Sequence, residues 1–492
     1  MILDRAIWVC IAFCFGATQH LRDPSREQTT ASTILQHEPF VVVWNMPTAR
    51  CQERFGIPLP LGVYGIVENK GNAFRGQNMT IFYKNKFGLY PYISPEGEWH
   101  NGGIPQKVHL KEHLEKASKE ITELLNRDFH GLAVIDWEEW RLFWRRNWGP
   151  KKVYRKASEQ WVQERFPDLS PKQQTSLATV EFEQAARTLV ERTLQLGTEL
   201  RPQGSWGFYR FPDCFNDNWK KGENYTGRCN PTEVQWNDRL MWLWKISSAL
   251  YPSIYLPPKL PTSYHQHYVH HRLREAFRVA QFGLKQPLPV IAYSRVSYRH
   301  SSRYLTEDDL VYTIGESAAL GAAGVVLWGD LSYAQSPESC RSLHHYITTT
   351  LGPYVVNATT AARTCSHQLC HGNGRCVRRQ PDEMGAFLHL APQRWEKESV
   401  MSDFLEPEVP AWEQFQCVCY PEWIGAWCER PRWIEPFKGP EHQATQYYDT
   451  IDAAHGNRII IRSNICPSSI YDEKTELQKL FPEIQPFNQG QS

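Results

Sequence analysis

Short runs of apolar residues recur along the chain between about residues 39 and 356. They are rich in β-branched and aromatic side chains and contain few polar interruptions. This character is typical of strands that are buried on both faces, as in a parallel sheet. The runs that predict such strands are residues 39–45, 61–67, 131–138, 205–212, 253–257, 289–295 and 323–330.

Longer segments with a helical spacing of apolar residues lie between these runs. The predicted helices are residues 109–126, 180–200 and 268–282. A strand followed by a helix, repeated about seven times, favours an α/β fold of the TIM-like (β/α) barrel type over an open doubly wound sheet. No glycine-rich nucleotide-binding fingerprint follows the first strand, which also favours the barrel. We therefore expect a distorted barrel of about seven strands over residues 35–358.

The first residues have the pattern of a secretory signal peptide. A short charged start precedes an apolar run at residues 6–17 and then small residues, which predicts a signal peptide over residues 1–18. The run is too short to span a bilayer, and the polar C-terminus lacks the features of a lipid-anchor signal. We expect a soluble protein of the secretory pathway, with export, lysosomes and acrosomes as the alternative destinations.

The cysteines also predict an oxidising compartment. Of 13 cysteines, two lie in the predicted signal peptide. The remaining eleven can pair in such a compartment and leave one over. Three N-glycosylation sequons fit the same setting, at Asn78, Asn224 and Asn357.

The character of the chain changes after about residue 356. Six cysteines with EGF-like spacing follow, namely Cys365, Cys370, Cys376, Cys417, Cys419 and Cys428. They predict a small disulfide-rich module over residues 359–430, interrupted by an inserted surface loop at 377–416. A zinc site is the alternative, but thiolates of a secreted chain would be oxidised. The tail, residues 431–492, has no strong periodicity and is expected to be poorly ordered or loosely packed.

Composition excludes one broad class of function. Lys+Arg total 54 and Asp+Glu total 53, so that the net charge is +1, whereas nucleic-acid-binding domains usually carry a strong basic excess. Aromatic residues reach 13% of the chain. Sugar-binding clefts use such side chains, and the filling of a large core is an equally good explanation.

One predicted strand ends in carboxylates, at Asp136 and Glu138. The carboxyl ends of barrel strands build the active site, and residues i and i+2 of a strand point the same way, roughly 6.6 Å apart along the backbone. Paired carboxylates in an aromatic setting suit glycoside hydrolysis, in which one acid protonates the leaving oxygen. A capping or salt-bridged acidic turn is the alternative. Glu139 faces the opposite way and is expected to be structural or exposed.

Several longer segments resemble the vertebrate hyaluronidases, glycoside hydrolase family 56, which are endo-β-N-acetylhexosaminidases that cut hyaluronan. The resemblance covers about residues 39–430. It implies a hydrolase of hyaluronan, with chondroitin as a further substrate, that needs no cofactor or metal and acts as a monomer. The segments are 74–83 (FRGQNMTIFY), 90–92 (YPY), 101–106 (NGGIPQ), 132–138 (LAVIDWE), 206–214 (WGFYRFPDC), 251–255 (YPSIY) and 321–328 (GAAGVVLW).

The resemblance implies a role for each matching side chain. Glu138 corresponds to the general acid/base, and Asp136 to a partner that orients and stabilises an oxazolinium-like intermediate. The family retains configuration because the N-acetyl carbonyl oxygen of the sugar attacks its own anomeric carbon, so that no enzymic nucleophile is needed. Tyr209 and Tyr255 correspond to tyrosines that bound the acetamido group. Trp328 corresponds to the aromatic wall behind its methyl group.

Two more positions and the disulfides follow from the same resemblance. Tyr83 corresponds to a cleft residue near the scissile bond. Arg272 matches an arginine linked to activity, for which a contact to a glucuronate carboxylate and a structural ion pair are the alternatives. Cys466 is left unpaired. The implied disulfides are Cys51–Cys340, Cys214–Cys229, Cys365–Cys376, Cys370–Cys417 and Cys419–Cys428.

Weaker signals concern charged side chains elsewhere. A histidine cluster at residues 265–271 is expected to be solvated surface and not a metal site. A basic stretch at residues 295–303 is either a solvated loop or a patch that attracts a polyanionic glycan.

A glycan-binding or adhesion protein on the same barrel, with weak or lost catalysis, is the alternative to a hydrolase. The presence of both carboxylates favours the enzyme, since a lectin has no need of the acid. Asp330, two residues after Trp328, could repel glucuronate or point away. A chitinase-type enzyme is disfavoured because apolar residues 132–135 stand where its motif has an upstream aspartate.

Overall fold

The computed structural model describes most of the chain before residue 433. Among the described residues, no helix is long and apolar enough to cross a membrane. The predicted signal peptide and Cys466 lie outside the described residues. Those residues are 35, 38–221, 224–282, 286–390 and 411–432, together with the short strands Thr450–Ile451 and Arg458–Ile459.

Six parallel strands form two three-stranded sheets. In chain order they are β1 (Val41–Asn45), β2 (Met79–Tyr83), β3 (Leu132–Asp136), β4 (Ser205–Phe208), β5 (Ile291–Ser294) and β6 (Gly324–Trp328). In one sheet β6 lies between β1 and β5, and in the other β3 lies between β2 and β4. Single bridges join Tyr209 to Tyr251 and Leu250 to Val290, so the segment around residue 250 connects β4 to β5.

Alternate residues of each strand face two different cores. In β1, Val43 belongs to an inner cluster and Trp44 to an outer cluster that also contains the helices, as the period of two requires. The inner cluster takes side chains from five of the six strands and from Tyr251. Gly207 occupies the inner position of β4, where a Cβ would lie 2.3 Å from the carbonyl oxygen of Ala249. The close approach of these two backbones therefore requires glycine.

Helices surround the strands. In chain order they are α1 (Ala49–Phe55), α2 (Leu110–Leu124), α3 (Lys152–Arg165), α4 (Pro171–Leu200), α5 (Pro231–Arg239), α6 (Met241–Ile246), α7 (His265–Ala280), α8 (Glu307–Leu310), α9 (Glu316–Ala319), α10 (Pro337–Tyr346) and α11 (Gly352–Cys370). The start of α4, nine residues before the predicted one, is fixed by a capping box between Ser170 and Gln173 and by Pro171 in the first turn. Its first turns are polar, so the apolar spacing does not reveal them.

Two of the predicted strands are reduced to single bridges. Residues 61–67 contain the 3₁₀ turn Gly62–Tyr64, and Gly65 has a φ of 67°, a left-handed conformation that interrupts an extended run. Val67 alone pairs with β1, in a parallel bridge to Val43. Residues 253–257 make a single β-bridge, at Ser253. Prolines flank that bridge in the sequence and cannot donate to a strand ladder.

The apolar pattern missed β2. The side chain of Asn69 provides hydrogen-bond partners for backbone groups at the start of this strand. Its Oδ1 accepts hydrogen bonds from the backbone N–H groups of Asn78 and Met79, both 3.1 Å long. Its Nδ2 also donates to the carbonyl oxygen of Met79 at 2.8 Å. A buried amide side chain thus replaces a neighbouring strand at this edge, and such a contact is invisible in the periodicity.

The cysteine-rich segment continues directly from a barrel helix. α11 runs without a break to Cys370, and the predicted boundary at residue 358 lies inside it. β7 (Gly374–Arg378) and β8 (Phe415–Cys419) pair antiparallel and include both ends of the predicted insertion 377–416. Ten cysteines form five disulfides in the structure, namely Cys51–Cys340, Cys214–Cys229, Cys365–Cys376, Cys370–Cys417 and Cys419–Cys428.

A buried ion pair joins this segment to the helices. Glu316 of α9 is 0% exposed and Arg378 of β7 is 1% exposed. Arg378 donates to both carboxylate oxygens of Glu316, at 3.0 and 2.9 Å, and His270 Nδ1 lies 2.8 Å from the same carboxylate. Burial alone would raise the pKa of Glu316, but His270 and Arg378 outweigh it and lower that pKa. The carboxylate is therefore held ionised inside the protein.

Replacement of Arg378 by methionine is expected to lower the free energy of unfolding by about 3 to 5 kcal/mol, because it leaves a buried carboxylate without its main partner. Urea unfolding followed by tryptophan fluorescence measures the loss. The double variant Glu316→Gln with Arg378→Met is the control and should lose less than the sum of the two single changes. Strict additivity would show that the two side chains are not coupled.

The expectation of a solvated histidine cluster is wrong for two of its members. His265 and His270 are 2% and 1% exposed. The Nδ1 of His265 lies 2.6 Å from Asp309, just as His270 contacts Glu316. Both carboxylates come from helices some forty residues further along the chain, so the local sequence gives no sign of these partners.

The three sequons differ in accessibility. Asn224 is exposed. Asn357 is half-buried, and its Oδ1 accepts a hydrogen bond from the backbone N–H of Leu390 at 2.9 Å. The Nδ2 of Asn78, the atom that would carry a glycan, donates to the carbonyl oxygen of Glu68 at 2.7 Å. Asn224 is thus the sequon whose side chain is most accessible.

Candidate active site

Three predicted site residues are the last residues of their strands. Tyr83 ends β2, Asp136 ends β3 and Trp328 ends β6. Tyr83 and Asp136 are direct partners in the β2–β3 register. The indole N–H of Trp328 donates to the hydroxyl of Tyr83 at 2.9 Å. This bond connects the two sheets at their carboxyl ends and brings the three side chains together.

Two tyrosines extend this group. Tyr209 directly follows β4, and its ring centroid lies 6.1 Å from that of Tyr255. Tyr255 in turn stacks on Trp328, with centroids 6.2 Å apart and ring planes inclined by 19°. Burial raises the pKa of Tyr209 to about 12, so its phenol is a neutral donor at physiological pH. The three rings form a continuous aromatic wall beside the carboxylates.

The two carboxylates lie in different environments. The side chain of Glu138 is 42% exposed and projects beyond the strand, whereas Asp136 is partly buried at the end of β3. Burial, and then the charge of Glu138, raise the pKa of Asp136 to about 8. Glu139 turns away and forms an ion pair with Lys84. Lys151 donates to the main-chain oxygens of Glu138 and Glu139, which fixes the backbone after β3.

The raised pKa of Asp136 predicts a pH dependence of stability. A carboxyl that binds its proton more tightly in the folded state stabilises the fold at low pH, and this contribution is lost as the pH rises from 3.8 to about 8. We expect the free energy of unfolding of the native protein to fall over this window relative to that of Asp136→Asn. Urea unfolding at several pH values measures the difference. Asp128→Asn, a change at an exposed carboxylate, should keep the native slope, and equal slopes for all three proteins would contradict the assignment.

Arg210 is a site residue to which the sequence analysis assigned no role. Its Nη1 lies 3.2 Å from Oε1 of Glu138, and its Nε lies 3.2 Å from Oδ2 of Asp213. Asp213 is 4% exposed. The position of Arg210 directly after Tyr209 was a signal, and Asp213 is a local partner three residues further on, but the contact to Glu138 depends on how β3 and β4 are paired.

Arg272 lies behind the aromatic wall and makes structural contacts. It is 7% exposed. Its Nε donates to Asn216 at 2.8 Å, its Nη1 to the carbonyl oxygen of Ser253 at 3.0 Å, and its Nη2 lies 3.4 Å from Asp217. Because Ser253 also accepts a hydrogen bond from Tyr209, Arg272 supports the segment that carries Tyr255.

Arg295 and Asp330 lie at the other end of the wall. The guanidinium of Arg295 lies 4.9 Å from the ring centroid of Trp328 and 5.8 Å from that of Tyr255. Asp330 lies 3.6 Å from Arg295 and accepts a hydrogen bond from the backbone N–H of Ser332 at 2.9 Å. Arg295 therefore offsets the charge of Asp330, and the first residue of the predicted basic stretch is buried against the site instead of being solvated.

The arrangement suits acid catalysis on a sugar. Two partly buried carboxyls lie close together, and an aromatic wall with phenol donors bounds the same space. Within the described part of the chain, no group of three histidine, cysteine, aspartate or glutamate side chains could hold a metal ion.

Comparisons with known proteins agree with this chemistry. The family profile described as hyaluronidase matches residues 29–432. Hyaluronidase-3 of Rattus norvegicus is 55% identical over 395 residues, which cover 80% of this chain and 93% of that protein. Hyaluronidase-3 of Homo sapiens is 51% identical over 430 residues, 87% of this chain and 97% of that one. The crystal structure of bee venom hyaluronidase in complex with a hyaluronic acid tetramer is 30% identical, with a TM-score of 0.60, and the match covers 64% of this chain and 98% of that one.

Proposed function

The chain belongs to the hyaluronidase family of glycoside hydrolases, and on this premise we propose that it hydrolyses internal β-1,4 bonds of hyaluronan as an endo-β-N-acetylhexosaminidase. The observation that carries the proposal is the grouping of the carboxylates with the aromatic wall at the carboxyl ends of the strands. Those side chains are Asp136, Glu138, Tyr209, Tyr255 and Trp328. Related proteins named for cleavage of this polymer, at more than 50% identity over most of their length, support the substrate class.

In the proposed mechanism, Glu138 is the general acid and then the general base. Its protonated carboxyl gives a proton to the glycosidic oxygen as the bond from this oxygen to the anomeric carbon breaks. The carbonyl oxygen of the N-acetyl group on the same sugar attacks the anomeric carbon and forms a cyclic oxazolinium intermediate. Water then adds to that carbon, Glu138 takes the proton of the water, and the ring opens. Two displacements at one carbon give a product with retained configuration.

The neighbouring side chains suit the acetamido group. Asp136, as a carboxylate, would accept the acetamido N–H and stabilise the positive charge of the intermediate. The neutral phenols of Tyr209 and Tyr255 would hold the carbonyl oxygen in position for attack. Trp328 would pack against the methyl group. The protein supplies orientation and charge, and the substrate supplies the nucleophile.

We also propose a barrel fold, a cysteine-rich module and a cellular compartment for the protein. The common inner cluster, the bridges around residue 250 and the contacts of Asn69 support a single distorted TIM-like barrel made from both sheets. The cysteine-rich segment that follows is proposed to be an EGF-like module. Five disulfides support a protein of the secretory pathway, with the signal peptide over residues 1–18 removed.

The proposal is tested with hyaluronan and chondroitin as separate substrates. The native glycosylated protein should shorten hyaluronan chains between about pH 4 and pH 7. Proton NMR taken during the first turnovers should show the β-anomer of the new reducing end before it equilibrates. An initial α-anomer would exclude the retaining mechanism. Absence of chain shortening at every pH would exclude hydrolysis of this substrate.

Glycan binding without hydrolysis is the second candidate. The ion pair of Glu138 with Arg210 favours it, because a carboxylate held by a guanidinium is less available as an acid. Sedimentation of the protein with hyaluronan that stays intact would support this alternative.

A further inference from the structure

Glu138, the acid proposed for catalysis, forms an ion pair with Arg210, which follows the neighbouring strand β4. Arg210 bridges Glu138 and Asp213, at 3.2 Å to each. Only 30% of the Arg210 side chain is exposed. The guanidinium therefore fills the space beside the half-exposed carboxyl of Glu138 and limits the positions that this carboxyl can take.

The backbone of Arg210 is in an uncommon conformation. Its φ is 72°, in the left-handed region that costs a residue with a Cβ roughly 1 kcal/mol and costs glycine almost nothing. An arginine that keeps such a conformation is held there by its contacts. Here the backbone N–H of Arg210 donates to the carbonyl oxygen of Tyr251 at 2.8 Å, and the side chain contacts the two carboxylates, so backbone and side chain are both held in place.

Asp213 anchors the guanidinium from the side away from Glu138. Burial would raise the pKa of Asp213, but Arg210, Arg272 and Arg146 outweigh it and hold that pKa below its usual range. The charge of Asp213 in turn raises the pKa of Arg210. Both groups therefore stay charged over the whole working range of pH, and Arg210 cannot release Glu138 by losing its own proton.

Glu138 faces several other charged or titratable groups. Asp136 ends β3 two residues before Glu138, and the remainder come from the strands and loops packed around it. Besides Arg210, these groups are Tyr83, Arg141, Lys151 and Tyr209. Of the cations, Arg210 has a direct contact to the carboxylate of Glu138, whereas Lys151 contacts the main-chain oxygen.

We propose that Arg210 is a positioning residue that restrains catalysis: its ion pair with Glu138 must open before Glu138 can donate a proton, so that hydrolysis is confined to acidic pH. The inference rests on the proposed function. The geometry supports it, because the acid step needs a protonated Glu138, and a neutral carboxyl no longer carries the charge that holds the guanidinium 3.2 Å away.

The test compares native protein with Arg210→Gly in hyaluronan depolymerisation, with kcat and KM measured separately across the pH range. Glycine suits the left-handed backbone and removes the charge. We expect kcat near pH 7 to rise roughly fivefold, the effect of a partly exposed ion pair of about 1 kcal/mol, with KM unchanged. The alkaline limb of the pH–rate profile should move to higher pH, and near pH 4 the two proteins should become equal. An effect of the substitution on folding alone would not move the alkaline limb of the pH–rate profile.

Two further variants serve as controls. Arg210→Lys keeps a positive charge and should retain the acidic profile of the native protein. Asn72→Gly makes the same kind of backbone change at another left-handed residue, with a φ of 54°, and should leave kcat and the pH profile unchanged. Arg210→Asn, which also tolerates this backbone, replaces Arg210→Gly if the glycine variant does not fold.

The outcomes separate the inference from the function on which it rests. If the native protein cleaves at acidic pH but a folded Arg210→Gly or Arg210→Asn variant is no faster than it near pH 7, the proposed restraint by Arg210 is wrong. The proposed function is not affected by that result. No cleavage by any variant at any pH overturns the proposed function together with the inference. A rise in kcat that is equal at all pH values also contradicts the ion-pair explanation, because protonation should remove the difference.

Discussion

The substitution Glu138→Gln is expected to lower the rate of hyaluronan cleavage by a factor of about 10² to 10⁴, the usual contribution of a positioned general acid. Glutamine has nearly the same shape and can still accept a hydrogen bond from Arg210, but it cannot protonate the leaving oxygen. The loss should appear in kcat, with KM close to that of the native protein. Viscosity and reducing-end assays at the native pH optimum measure it.

Glu139→Gln is the matched control for this experiment. It makes the same chemical change one residue further along the chain, at a side chain that turns away to Lys84, and should keep most of the native rate. If Glu138→Gln kept more than about a tenth of that rate, Glu138 would not be the acid, and Asp136 would be the next group to examine.

Removal of the disulfide Cys51–Cys340 is expected to have the largest effect on stability. It connects α1 to α10 across 289 residues. On the chain-entropy model, a loop of this length stabilises the fold by about 6 kcal/mol. The double variant Cys51→Ala with Cys340→Ala should therefore unfold at much lower urea concentration and be secreted poorly.

Removal of Cys419–Cys428, which spans 9 residues, is the comparison. The same model gives about 2 to 3 kcal/mol for so short a loop. Urea unfolding of both double variants under identical conditions measures the difference. Equal losses would show that loop entropy is not what this long-range disulfide contributes.

Much of the site could be predicted because it is local. Asp136 and Trp328 end apolar strands, as the sequence predicts, whereas Glu138 lies two residues beyond the end of β3, where the period of two no longer applies. The matched family segments supplied Tyr209 and Tyr255, which lie directly after β4 and two residues after the bridge at Ser253. Short-range periodicity and strand direction therefore determine where the side chains at the strand ends lie.

The features that the sequence did not predict depend on long-range contacts. Arg210 meets Glu138 only because β3 and β4 are paired, and the buried position of His270 requires the carboxylate of Glu316 from another helix. The predicted strand at residues 61–67 is shortened to one bridge for a different reason, because a glycine with positive φ stops a run whose apolar character suits a strand. In each case the deciding contact or dihedral angle leaves no trace in hydrophobic periodicity.

Because α11 continues from Gly352 to Cys370, the chain cannot be cut at residue 358 without interrupting a helix. A recombinant chain that stopped at residue 358 would end inside this helix and lose its buried alanines Ala361 and Ala362. It would also lack Arg378 and leave the carboxylate of Glu316 without that partner. Truncation should therefore reduce the yield of folded protein before it changes the recognition of any glycan. For protein engineering, the cysteine-rich segment should therefore be treated as part of the same folding unit as the strands and helices before it, and not as a module that can be removed.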